Sequence, residues 1–229
     1  AKPAVITSED SIVNLIGKYF PLQHSALVLG RGDDCALFRT RSGSSVSTDL
    51  FIEDVHFRRR YFTPAEIGHK ALACNISDLA ACGTRPEAFT LSIGLDLAGG
   101  DTTRSEKLVI SITVFGSEIG EGSFLTRGGS MPGDVLFVVG PLGLARVGLQ
   151  ELEAHGREAL KTWPQACRAH LMPEPLVDAG LMLARAGLNS RPPALMDVSD
   201  GVARDLPRLL GLTGEAGTPS VAGGGLGAE

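Results

Sequence analysis

The sequence predicts an α+β protein in two domains, residues 1–130 and 131–229. Three observations predict it. A β-hairpin pattern leads into a helix with marked start and stop signals. Apolar residues then alternate at Leu108, Ile110, Ile112 and Val114, the period of a strand. After the turn Met131-Pro132-Gly133-Asp134 and the apolar run Val135 to Val139, the periodicity becomes mainly helical.

Ser8 or Asp10 caps a first helix reaching about Tyr19, with Ile12, Leu15 and Ile16 on one face. Cys35 to Phe38, a polar turn at Thr40-Arg41-Ser42-Gly43 and the stretch Val46 to Ile52 form the hairpin. Thr63-Pro64-Ala65-Glu66 is a capping box with proline at the first helical position. That helix is expected to run to Cys82, with Gly83 as its stop. Strands follow at Ala88–Leu95 and Leu108–Phe115, then helices at about Leu144–Ala154 and Pro175–Ala186. A strand at Ala194–Val198 and a short helix after Asp200 complete the pattern. The last nineteen residues hold seven glycines and no periodicity.

The bulk numbers narrow the function. A net charge of −5 and only 5% aromatic residues argue against a nucleic-acid or anionic-membrane partner. The four cysteines make no C-x-x-C pair and suit reduced thiols in a cytoplasm. The sequence shows no charged-then-apolar leader and no apolar run near the ~18 residues of a membrane span. A cytoplasmic protein is therefore expected. Neither a P-loop nor a G-x-G-x-x-G string occurs, so a nucleotide would be held by another device.

Glycine is enriched, 29 of 229 residues, and stands beside acids at Gly32-Asp33-Asp34, Gly99-Gly100-Asp101, Gly133-Asp134 and Asp200-Gly201. The hairpin register sets Asp34 near Asp49, within a residue or two. Opposed side chains lie about 4.5–5.5 Å apart at Cβ, where like charges repel. A cation would relieve this, and two solvated acids at a frayed hairpin end would explain it equally. Asp78 sits in the last turn of its helix, where the macrodipole disfavours a carboxylate. Asp197-Val198-Ser199-Asp200-Gly201 offers two carboxylates and a hydroxyl at one edge, or simply a helix cap. Oxygen ligands from several loops without a His or Cys cluster suit a hard cation such as Mg²⁺.

The strings Gly32-Asp33-Asp34-Cys35-Ala36-Leu37, Ser47-Thr48-Asp49, Val55-His56-Phe57, Lys70 to Ala81, Gly99 to Arg104, Leu125-Thr126-Arg127 and Asp197 to Gly201 occur in this order. Together they resemble the thiamine-monophosphate kinase family, within the aminoimidazole-ribonucleotide-synthetase-like superfamily, over nearly all of the chain to about Leu210. The resemblance implies two α/β-sandwich domains, a homodimer made by the N-terminal sheets, and ATP in the cleft at the domain junction. It implies Mg²⁺ ligands at Asp34, Ser47, Thr48, Asp49, Asp78, Asp101, Asp197 and Asp200. It implies ATP contacts at Gly100, Asp101, Arg127 and Ser199, a substrate contact at His56, and catalysis resting on Asp49, Asp101 and Arg127. The implied reaction is phosphorylation of thiamine monophosphate to thiamine diphosphate, by direct in-line transfer.

The sequence departs from the family in two places. Leu97 runs straight into Ala98 where the family has a helix-length segment, and the family's Gly-Gly-Glu-Asp motif with its later strands does not follow Leu210. Backbone breaks are therefore expected near Leu97–Ala98 and after Gly211. The rival readings are a purine-pathway ligase, a selenophosphate synthase or a hydrogenase-maturation protein of the same superfamily, or a non-catalytic metal- or nucleotide-binding protein. Ser47-Thr48-Asp49 followed by His56, and Gly-Gly-Asp-Thr-Thr-Arg, favour the kinase.

Overall fold

The computed structural model describes residues 27–29, 35–38, 43–94, 107–188 and 190–212. The expected first helix, Asp34, Gly100, Asp101, the Leu97–Ala98 junction and the glycine-rich tail lie outside the described residues.

Five strands, β1 (Leu27–Leu29), β2 (Ala36–Phe38), β3 (Ser44–Ile52), β4 (Arg85–Gly94) and β5 (Val109–Ser117), form one sheet in the order β1-β2-β3-β5-β4. Every neighbouring pair is antiparallel. The β2–β3 ladder joins Ala36 to Val46, Leu37 to Ser45 and Phe38 to Ser44, which is the hairpin the sequence predicts. β4 begins at Arg85 rather than Ala88, with a bulge between Pro86 and Ala88.

Helix α1 (Pro64–Ala81) covers one face of this sheet. Thr63 is extended at its start, and its hydroxyl accepts from the Glu66 N–H at 3.3 Å. The Glu66 carboxylate accepts from the Thr63 N–H at 2.7 Å, closing the capping box. Pro64 has no N–H to leave unmet at this position. At the other end Gly83 turns the chain out at φ +66°, a conformation that favours glycine. The alternation of β5 buries Ile110, Ile112 and Val114 beneath α1. Phe89, Leu91 and Ile93 of β4 pair with these three and share their face. They stay 45–52% exposed, because α1 packs mainly on β3 and β5.

The remaining helices are α2 (Leu144–His155), a 3-10 turn at Gly156–Glu158, α3 (Ala159–Thr162), α4 (Pro164–Leu171), α5 (Val177–Gly187) and α6 (Val202–Leu209). The sequence reading missed α3 and α4. Trp163-Pro164, with proline at the first position of α4, was the available start signal. Leu152, Ala159, Cys167 and Leu171 join the same core cluster as Phe51, Phe57, Tyr61 and Leu79. The core is thus continuous across residue 131. Two glycines bring backbones together. A Cβ on Gly148 would lie 2.0 Å from Ala166 O, and one on Gly180 would lie 2.1 Å from Ala80 O.

The strand expected at Ala194–Val198 is reduced to one parallel bridge, Ala194 with Thr126. A strand needs a neighbour along its length, and this segment finds one only at Thr126. Val135 to Val139 is likewise irregular and 47–79% exposed. Among the described residues no helix is long and apolar enough to cross a membrane.

Candidate active site

β3 alternates, so Ser45, Ser47, Asp49 and Phe51 face α1 while Thr48 and Leu50 face away. On α1, Lys70, Cys74 and Asp78 are spaced i, i+4 and i+8, which aligns them on one side of the helix. The two rows meet. The Ser47 hydroxyl donates to Asp78 Oδ2 at 2.5 Å. Burial first, and then the carboxylates of Asp49, Asp78 and Asp197, push the Cys74 thiol up to about 11, against the pull of Lys70. Three carboxylates from three segments therefore act on one thiol through their charge. All four cysteines are free.

Asp197 arrives from the other half of the chain. The Leu125 N–H donates to Cys82 O at 3.0 Å and the Leu195 N–H to Thr126 O at 2.9 Å. These bonds tie the end of α1 to residues 125–126, and those residues to the segment ending at Asp197. Ser77 Oγ then lies 3.5 Å from Asp197 Oδ2. Arg127 follows Thr126 directly and is half-buried at this junction.

Other expected residues fall elsewhere. The Thr48 hydroxyl, on the far face, donates to Ile112 O at 3.1 Å and accepts from Thr113 at 2.9 Å. Asp200 is engaged by α6, with Arg208 at 2.9 Å and Arg204 at 3.5 Å. Its N–H donates to the buried Asp205 at 3.0 Å. Ser199 is exposed beside it. His56 stacks on Phe51 with centroids 5.5 Å apart, and its Nδ1 accepts from the Ile52 N–H at 2.9 Å. The proton of the neutral ring is then on Nε2. Among the described residues no three His, Cys, Asp or Glu side chains form a metal site by themselves.

Sequence reasoning missed Ser77, Cys74 and Lys70. Lys70 is half-buried over the Phe62 ring, 5.3 Å from its centroid, and desolvation pushes its ammonium down to about 8. The four-residue spacing along α1 was the signal that would have found these side chains.

Comparison with known proteins bears on this site. The family described as AIR synthase related protein, N-terminal domain, matches residues 32–97. The thiamine-monophosphate kinase of Bacillus subtilis (strain 168) is 35% identical over 221 residues, covering 82% of this chain and 66% of that protein. That of Escherichia coli (strain K12) is 33% identical over 227 residues, covering 86% of this chain and 67% of that protein. A solved structure described as AaThiL complexed with AMPPCP and TMP superposes with a TM-score of 0.74 at 28% identity. It covers 90% of this chain and 70% of the other. The chain thus spans about two thirds of the length of the relatives it matches.

Proposed function

Because the chain belongs to the thiamine-monophosphate kinase family, we propose that it supplies the catalytic acids for transfer of the ATP γ-phosphoryl group to thiamine monophosphate. The observation that carries this reading is the row of oxygen groups at the end of α1, with Ser47 bonded to Asp78 and Ser77 3.5 Å from Asp197. The related AaThiL was solved with AMPPCP and TMP, which supports a nucleotide and a phosphate-bearing acceptor here.

The donor chemistry fits Mg²⁺. The converging groups are carboxylate and hydroxyl oxygens, and the Cys74 thiol, pushed up to about 11, stays protonated and offers no thiolate. Ser47, Asp49, Asp78 and Asp197 would hold the ion, with Asp34, Asp101, the Thr48 position and Asp200 as further ligands in our reading. When bound, Mg²⁺ neutralises charge on the phosphate oxygens. Asp200 joins the set only by loosening its contacts with Arg204 and Arg208.

The acceptor phosphate is already ionised, so no base is needed to remove a proton from it. The chain's task is positioning and charge balance. Asp49 and Asp101 orient the cationic centre, Arg127 balances the transferring group, Gly100 and Ser199 contact ATP, and His56 contacts the acceptor through Nε2. We also propose a cytoplasmic homodimer. The uncovered row Phe89, Leu91 and Ile93 on edge strand β4 is an apolar surface that a second sheet would cover. The division near residue 131 remains our reading of the domains.

Full-length protein given ATP, Mg²⁺ and thiamine monophosphate should form thiamine diphosphate and ADP. Unphosphorylated thiamine should be a poor acceptor. Efficient phosphorylation of free thiamine would overturn the reading, because it requires a base that the proposed site does not supply.

A further inference from the structure

The loop that carries His56 is fastened by side chains outside the acidic cluster. β3 ends at Ile52, and the chain turns at once. The Val55 and His56 N–H groups donate to Ile52 O at 3.2 and 2.8 Å. Ile52 gives its own N–H to His56 Nδ1 at 2.9 Å. The direction of the imidazole is therefore tied to the shape of this turn, which leaves the residue exposed. Within the turn Asp54 stands at φ +66°, alone among the described non-glycine residues. Residues other than glycine rarely adopt this region, and it persists where the surroundings enforce it.

Glu53 supplies that enforcement. Its N–H donates to Leu108 O at 2.9 Å, and its carboxylate accepts from the Leu108 N–H at 3.0 Å. Backbone and side chain together thus fasten residue 53 to the residue that precedes β5. The same carboxylate accepts from Arg59 Nε at 2.5 Å and from Nη2 at 2.6 Å. Such a fork is directional as well as charge-assisted. Arg59 stands on the far side of the turn, so the pair closes residues 53–59 into a loop with a fixed base. Arg59, and then the Leu108 N–H, hold the Glu53 carboxyl below the usual carboxylate range. The clamp is therefore ionised at neutral pH. Lys107, 3.3 Å from Asp54, adds a second tie to the same segment.

We propose that Glu53 is a positioning residue: clamped between Arg59 and Leu108, it holds the 53–59 loop in the shape that fixes the His56 ring with its proton on Nε2, and so sets how tightly the phosphate acceptor is held. The effect on the acceptor rests on the reading of His56 as its contact. The effect on the ring does not.

Two measurements on the full-length protein separate these. Ring ¹⁵N NMR at about pH 8.5, where a histidine of ordinary pKa is neutral, reports the tautomer directly. The His56 signal is assigned by its loss in His56→Gln. The parent should show Nε2–H alone, and Glu53→Ala should show a mixture of both tautomers. Arg59→Ala alters an exposed side chain, spares the fold, and should move the signal in the same direction. Glu53→Gln, which keeps an oxygen for the Leu108 N–H and loses the fork, should fall between. In kinetics, Glu53→Ala should raise the KM for thiamine monophosphate about tenfold, with kcat and the KM for ATP changed less than about twofold. Thr63→Ala, which weakens α1 without touching the loop, should move neither readout.

An unmoved His56 signal in both Glu53→Ala and Arg59→Ala overturns the proposal. So does an equal shift in Thr63→Ala, which would make the effect one of stability alone. If His56→Gln itself leaves the KM for thiamine monophosphate unchanged, the reading of His56 fails, and the ring spectrum still decides the clamp. If His56→Gln raises that KM and Glu53→Ala does not, the clamp fails and the reading of His56 stands.

Discussion

Ser47 donates to Asp78 across the sheet–helix interface at 2.5 Å. Asp78 is a carboxylate in the last turn of α1, where the macrodipole is unfavourable. A hydroxyl from the centre of β3 supplies the compensating donor, so strand and helix fix each other at the point where the other acids arrive.

Asp49→Asn removes one of these acids while keeping its shape. The proposed phosphoryl transfer by the full-length protein should fall by roughly 10²-fold or more, the scale of losing a main electrostatic group. The melting temperature should hold or rise, because like charges are relieved. A geometric check needs no activity. Asp49 helps push the Cys74 thiol up, so the pH profile of Cys74 alkylation should move to lower pH in the variant. An unmoved profile would separate Asp49 from the cluster.

Gly180→Ala should be strongly destabilising, since its Cβ would stand 2.1 Å from the Ala80 carbonyl. Overpacking of this kind costs about 1–3 kcal/mol or more, a fall of roughly 2–4 °C per kcal/mol for a chain this size. Gly68, also helical, has nothing within 4 Å of its added Cβ. Gly68→Ala should therefore raise stability by about 0.5–1 kcal/mol. Thermal melts of the two variants should move in opposite directions.

Thr63→Ala removes the side chain that accepts the Glu66 N–H. Loss of such a cap costs about 1 kcal/mol, read as a lower urea midpoint. Thr63→Ser keeps the acceptor and should recover most of it.

His170 predicts a pH dependence. Burial first, and then the Lys70 ammonium, push its imidazole from the ordinary 6.5 down to about 4 in the fold. Above pH 6.5 both states are neutral and the group contributes nothing. Between 6.5 and about 4 only the unfolded chain takes up the proton, so stability falls as pH falls. Below about 4 the loss is complete. Urea unfolding at pH 7 and pH 5 should show a smaller difference in His170→Gln than in the parent. Equal differences would mean that His170 is not held neutral by the fold.

Much of the N-terminal half was legible because its signals are local. The capping box at Thr63, the stop at Gly83 and the alternation along β5 each depend on a few neighbouring residues, and each lies where the sequence placed it. The hairpin register was legible for the same reason. What the sequence hid depends on tertiary partners. Val135 to Val139 and Ala194–Val198 are apolar enough for strands, but pairing is decided by neighbours that a local pattern cannot name. Within the site, Asp78 was visible as an anomaly, yet its Ser47 partner lies 31 residues away. Asp200 read as a member of the acidic set, and only the folded α6 shows Arg208 facing it.

The Gly180–Ala80 contact fixes how closely α5 sits on α1. Where two helices meet through side chains, one can slide along the other by small rotamer changes. Here backbone rests on backbone, and there is no side-chain layer to absorb a slide. Ser77 and Asp78 lie just ahead of it on α1, so α5 is seated against the turn that carries both side chains. The closeness of the two backbones at Gly180 thus sets how near α5 stands to the end of α1 that bears Asp78.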